Sequence, residues 1–177
     1  MTAQTDHTSA NARTLISVDA MGGDQGPAAV VAGCLISAEA NPDISFILHG
    51  PEAELTALVA KHPLLAGRIQ IRDAVGVVTM EDKPSHVVRT GKDTSMWSAI
   101  ESVRTGEASV AVSCGNTGAL MALSMIRLRK LPGVNRPAIA VLYPSSNAQG
   151  FNVMLDVGAD IKADADDLLR FALMGMS

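Results

Sequence analysis

The sequence predicts an α/β fold, a mostly parallel sheet with helices on both faces. Short runs rich in Val, Ile and Leu alternate with longer runs in which apolar residues recur at helical spacing. Glycine- or proline-containing loops separate them. The runs at Ala138–Tyr143 and Val153–Val157 are almost continuously apolar, as suits interior parallel strands or a buried hairpin.

Residues 1–13 are polar and are expected to form a tail outside one domain spanning 14–177. Leu15–Val18 reads as a strand ending in the acidic loop Asp19-Ala-Met-Gly-Gly-Asp24. Pro27 suits a first helical turn, and Val30, Val31, Cys34, Leu35 and Ala38 keep helical spacing until Asn41-Pro42. A second strand follows at Ile44–Leu48. Glu52 and Glu54 then favour a helix start, with Leu55, Leu58 and Val59 as its stripe. Ile69–Ile71 is a third strand. Asp73–Thr94 has weak periodicity and many charges and hydroxyls, which points to a binding loop or lid holding a short helix near Ser85–Arg89.

A firmer helix starts at Ser95, with Met96, Trp97, Ile100 and Val103 as its apolar face, and Gly106 ends it. The next strand, from Val110, runs into the tight loop Ser113-Cys-Gly-Asn-Thr-Gly118 and then a helix through Ala119–Ile126. That helix is apolar almost all round, which predicts deep burial. A last helix begins near Asp164 and carries Leu168, Leu169, Ala172 and Leu173.

Composition narrows the function. A net charge of −4 and only 3% aromatic residues argue against a nucleic-acid binder. The two cysteines, Cys34 and Cys114, make no disulfide framework; both are expected reduced, with Cys114 in buried small-residue packing. His7, His49, His62 and His86 show no ligand spacing, so no metal is expected. No G-x-G-x-x-G is present, which disfavours a nucleotide cofactor. The N-terminus lacks a secretory h-region and no apolar run suffices to span a bilayer, so a cytoplasmic location is expected.

In a parallel sheet, the loops at carboxyl strand ends gather on one edge. Asp19, Gly22, Gly23 and Asp24, the loop from Ser113 to Gly118, and Asp156 are therefore candidates to converge. A glycine-containing loop opening a helix presents N–H donors and partial positive charge, which suits phosphate. Each group also has a purely architectural reading, as turn, helix cap or surface charge.

Six motifs, in one order from Leu15 to Gly175, resemble a known family. They are Asp19-Ala-Met-Gly-Gly-Asp24, Met80-Glu-Asp-Lys-Pro84, Lys92-Asp-Thr-Ser-Met96, Ser113-Cys-Gly-Asn-Thr-Gly-Ala-Leu-Met-Ala122, Arg136-Pro-Ala-Ile139 and Leu155-Asp-Val-Gly158. The chain resembles the bacterial acyl-carrier-protein:phosphate acyltransferases of phospholipid synthesis, the PlsX family. Cys114 stands where the family usually has alanine, and Asp160 where asparagine is common.

The resemblance implies a Rossmann-like sandwich of the isopropylmalate dehydrogenase and phosphotransacetylase type. It implies transfer of a fatty acyl group from acyl carrier protein to inorganic phosphate, with no cofactor. Family members are usually dimers that touch the membrane surface, and they are much longer. The chain is thus expected to be the N-terminal part of a larger fold, with membrane contact in the remainder.

Inorganic phosphate is its own nucleophile, so the chemistry asks for capture, aim and oxyanion stabilisation. Lys83, Asn116 and Asp82 are the catalytic candidates. Asp19, Gly22, Gly23, Asp24, Lys92, Ser95, Ser113, Gly115, Thr117, Gly118, Arg136 and Asp156 are the phosphate- or substrate-binding ones. Basic residues Arg68, Arg72, Arg127, Arg129 and Lys130 are candidates to meet an acidic carrier protein. The alternatives are a phosphotransacetylase-like enzyme using coenzyme A thioesters, and an inactive module that dimerises or binds the carrier.

Overall fold

The structure, a computed structural model, describes residues 14–132, 134, 137–157 and 163–176. The chain forms two compact units, one ending at Leu128 and one beginning at Arg129.

The first unit holds a four-stranded parallel sheet ordered β3-β2-β1-β4, from β1 (Thr14–Asp19), β2 (Ile44–Gly50), β3 (Ile69–Asp73) and β4 (Val110–Ser113). The chain leaves β1 in one direction to build β2 and β3, then crosses back to lay β4 on the other side. Asp19 is in register with Ser113. The carboxyl ends of β1 and β4 therefore flank the topological switch point, where open α/β sheets bind ligands.

The faces follow the two-residue period of a strand. Ile16, Val18, Phe46 and Leu48 pack with Val31, Cys34 and Ala38 of α1 (Gly26–Ala40), and with Leu55 of α2 (Glu52–Val59). Pro27 sits in the first turn of α1, and Asn41 caps its end. On the other face lie α3 (Pro84–Thr90), α4 (Ser95–Arg104) and α5 (Thr117–Arg127), whose core is Val78, Val87, Met96, Ile100, Ala119 and Leu123. The short helix expected near Ser85–Arg89 is α3.

Several expectations are corrected. The face of α4 turned inward carries Ser95, Ala99 and Ser102 beside Met96 and Ile100, with Val103 only half-buried. As expected, α4 begins at Ser95; Thr94 is its N-cap, the Thr94 hydroxyl accepting from the Trp97 N–H at 3.3 Å. Only Ala119 and Leu123 of α5 are buried, while Ile126 is 54% exposed. This helix packs on α3 and α4 along one side, so its all-round apolar character does not translate into all-round burial.

The second unit holds an antiparallel hairpin, β5 (Ala140–Pro144) with β6 (Phe151–Leu155), and helix α6 (Ala165–Met176). Its hairpin loop is tied by Asn147, whose amide donates to the Phe151 carbonyl at 2.8 Å. The strands form a hairpin, yet Leu142, Tyr143 and Val153 are exposed rather than buried. In α6, Phe171 is the buried residue, and Leu168, Leu169 and Leu173 are exposed.

Candidate functional site at the ends of two strands

The loops after β1 and β4 touch. The Ser113 hydroxyl donates to Asp19 Oδ2 at 2.7 Å, and the Gly115 N–H donates back to Ser113 Oγ at 3.1 Å. The Met21 N–H donates to Asp19 Oδ1 at 3.2 Å. Asp19 is 2% exposed, so these donors replace the water its carboxylate has lost. Gly22 makes this junction fit. A Cβ there would lie 2.8 Å from each of Asp19 Oδ2, Gly115 N and Ser113 Oγ. Gly23 then turns with φ 101°, a left-handed conformation that glycine adopts without a Cβ penalty. Asp24 is exposed, and Gln25, not an aspartate, occupies the N-cap of α1.

Asn116 is a bracket. Its Oδ1 accepts from the Ala119 N–H at 3.0 Å, capping α5. Its Nδ2 donates to the carbonyls of Thr79, Met80 and Asp82 at 3.1, 3.2 and 3.0 Å. The side chain expected to face substrate is thus spent on holding the 79–82 turn against α5. Asp82 is engaged too. Its Oδ2 accepts from the Thr79 N–H at 2.8 Å and hydroxyl at 3.0 Å, and the first of these bonds chiefly lowers its pKa.

This leaves Lys83, N-cap of the adjoining α3, exposed beside the start of α5; a Cβ at Gly118 would lie 3.0 Å from Pro84 Cγ. The amides of Thr117 and Gly118 open α5 and find no acceptor among the described residues. Lys92 is exposed in the short 3-10 turn Gly91–Asp93 that precedes α4. The buried Ser95 hydroxyl has no partner among the described residues. Asp156 lies in the second unit, where its N–H donates to the Ile139 carbonyl at 2.7 Å. Arg136, Gly158 and Asp160 fall outside the described residues.

Cys114 is exposed, not packed away. Three of the arginines considered for a carrier protein are occupied. Arg68 donates to the carbonyls of Ala38, Asn41 and Ile44. Arg72 forms a two-pronged pair with Glu107, both bonds 2.6 Å, and Arg127 pairs with Glu101 and stacks on Trp97. Among the described residues no three His, Cys, Asp or Glu side chains gather as metal ligands, and no helix is long and apolar enough to cross a membrane.

Two features escaped sequence reasoning. One is a buried chain under α4: His49 Nε2 meets Ser17 Oγ at 2.8 Å, and His49 Nδ1 meets Ser98 Oγ at 2.8 Å. Burial pushes the His49 pKa down to about 4, and the nearby Arg72 charge adds to this, so the ring is neutral. Serines at 95, 98 and 102, on one helical face above Ser17 and His49, were the available signal. The other is a cleft of about 500 Å³ beside α1, lined by Ile16, Val18, Phe46 and Val112 and, toward the joined loops, by Asp19 and Ser113.

A parallel α/β sheet covered by helices on both faces, with glycine loops joined at its switch point, belongs to the doubly wound class, which receives ligands at that edge. The comparisons narrow it. The family model described as "Fatty acid synthesis protein" matches residues 14–177. The chain is 79% identical to the phosphate acyltransferase of Roseobacter denitrificans, over 100% of this chain and 50% of that protein. It is 71% identical to that of Ruegeria sp. strain TM1040, over 100% and 48%, and 74% identical to that of Paracoccus denitrificans, over 92% and 44%. The chain therefore belongs to the fatty acid synthesis protein family, and it spans about half the length of the curated phosphate acyltransferases it matches.

Proposed function

We propose that the chain is the phosphate-binding part of an enzyme that moves a fatty acyl group from acyl carrier protein to inorganic phosphate, giving acyl phosphate for phospholipid synthesis. The observation that carries this is the joined loop pair. Gly22 against Gly115, with Ser113 between Asp19 and the Gly115 amide, supports a rigid platform at the start of α5. The two open amides of Thr117 and Gly118 and the helix dipole favour an anion there. Lys83 and Lys92 supply the mobile positive charge. Asn116 and Asp82 are positioning residues that hold Lys83 beside that helix end.

In this reading a phosphate oxygen attacks the thioester carbonyl carbon. The carbonyl becomes an oxyanion held by the same N–H donors. Collapse breaks the C–S bond, the thiolate takes the phosphate proton, and acyl phosphate leaves as a mixed anhydride. No enzyme nucleophile is used, because held phosphate needs only orientation, worth roughly 7–11 kcal/mol in favourable cases. Dimerisation, cytoplasmic location and peripheral membrane contact belong to the same reading, the last resting on the additional length of the relatives.

Trapping acyl phosphate with hydroxylamine tests it. Product is expected from acyl carrier protein thioester only when phosphate is present. Equal rates with coenzyme A thioester favour the phosphotransacetylase-like alternative. No product with either donor, despite carrier binding, leaves a binding module.

A further inference from the structure

The cleft beside α1 lies in the same unit as the joined loops and shares Asp19, Gly22, Gly23 and Ser113 with them, but its chemistry is opposite to that of an anion site. Among the described residues no lysine or arginine lines it, whereas Asp19 and Asp24 do. A phosphate or nucleotide drawn there would meet negative charge without compensation. Its floor is aliphatic: Ile16 and Val18 of β1, Val112 of β4 and Val30 of α1, with Phe46 the one aromatic among the described residues. The wall supplied by α1 carries Gly26, Ala29 and Gly33, spaced to share one helical face. A Cβ at Gly26 or at Gly33 would meet nothing within 4 Å, so missing side chains leave this space open. About 500 Å³ lies within the roughly 300–1,000 Å³ of small-molecule sites.

We propose that this cleft holds the acyl chain of the substrate, with its thioester end at Ser113 and Cys114, in the loop that leads to α5, and its tail running along α1 past Gly33. The inference rests on the acyl-transfer reading of the loops. It adds the place where a neutral, flexible hydrocarbon is received, and it separates that place from the anion end at α5. Gly33 lies seven residues beyond Gly26, about 10 Å along the helix. It therefore meets long chains and not short ones.

Cys114 reports occupancy, since it lines the cleft and is exposed. Cys34 lines it too, but burial pushes its pKa up to about 11, so it stays a thiol and reacts slowly. The probes are the N-acetylcysteamine thioesters of dodecanoic and butanoic acid, each competing with iodoacetamide for the chain. Gly33→Leu is the obstructing variant and Gly33→Ala the milder one. Both are expected to melt at or above the wild-type temperature, since each replaces a mid-helix glycine facing open space.

Dodecanoyl thioester at about ten times its Kd should slow Cys114 alkylation about tenfold in the wild type. The same concentration should slow it less than about twofold in Gly33→Leu, with Gly33→Ala between. The butanoyl thioester should protect wild type and Gly33→Leu alike. Equal dodecanoyl protection of wild type and Gly33→Leu overturns the proposal, as does no protection of the wild type. The two readings fail separately. Acyl phosphate formed equally well from long chains by Gly33→Leu removes the cleft and leaves the reaction. Chain-length-dependent protection without any acyl phosphate keeps the cleft and removes the reaction.

Discussion

The two faces of the four-stranded sheet are built on different chemistry. On the α1 face the contacts are apolar: Val18, Phe46 and Leu48 meet Val31, Cys34 and Ala38, and the cleft opens along the same wall. On the α4 face polar groups are buried, and apart from the Ser95 hydroxyl they are paired among the described residues. Ser17 joins His49 to the Ala99 carbonyl, Ser98 closes on the other ring nitrogen, and Arg72 reaches Ser102. An apolar face tolerates repacking and can leave space, whereas a buried polar face has fixed geometry because each unpaired group is costly. The loops that must hold a precise shape grow from the end of the polar side, and the cleft from the apolar side.

Gly22→Val should break the junction of the two sides most severely. Its side chain meets backbone and a buried carboxylate at 2.8 Å, so the loops must part. A loss of about 3 kcal/mol in unfolding free energy is expected, together with at least about a hundredfold fall in acyl phosphate formation. Urea melts and the hydroxamate assay read both, and near-wild-type values would mean the loops do not need their contact.

His49 tests the polar face alone. Its pKa falls from 6.5 to about 4 on folding, so the unfolded chain binds the extra proton first. Its contribution to stability is complete above pH 6.5 and is lost as pH falls from 6.5 towards 4, by as much as about 3 kcal/mol. Urea midpoints taken across that window should fall more steeply for the wild type than for His49→Gln. Parallel curves would show that the ring is not held neutral by burial.

Asn116→Ala removes a helix cap and strands three carbonyls, costing about 2 kcal/mol in thermal or urea unfolding. If its role is to position Lys83, phosphate KM should rise with it. Lys83→Ala is the smallest perturbation of the fold. The residue is exposed, so stability should move by less than about 0.5 kcal/mol. Phosphate-dependent turnover should nevertheless drop about tenfold, as loss of one charge-assisted contact does. An unchanged rate would remove Lys83 from the site.

Much of the first unit was legible in the sequence. β-Branched runs and glycine loops marked β1 to β4, and Pro27 and Asn41 bounded α1, because these residues act through local backbone preference. The convergence of Asp19 with Ser113 was legible too, since parallel strands put their loops on one edge. Tertiary partnership was not legible. Ile126 and Leu168 look like core residues by composition, but whether anything covers them depends on neighbours remote in sequence. The task of Asn116 was hidden for a related reason: its partners are backbone carbonyls at 79, 80 and 82, which carry no residue signature. Cys114 misled through its small neighbours, whose lack of bulk leaves it open to solvent.

That exposed thiol sharpens the central issue, which is whether phosphate attacks the thioester itself. Intact-mass measurement of the chain after incubation with acyl carrier protein thioester, with phosphate withheld, answers it most directly. Direct attack predicts an unmodified protein mass at every time point, with acyl phosphate appearing once phosphate is added. A mass raised by one acyl group, discharged by phosphate and absent in Cys114→Ala, would contradict it and place a covalent intermediate on the path.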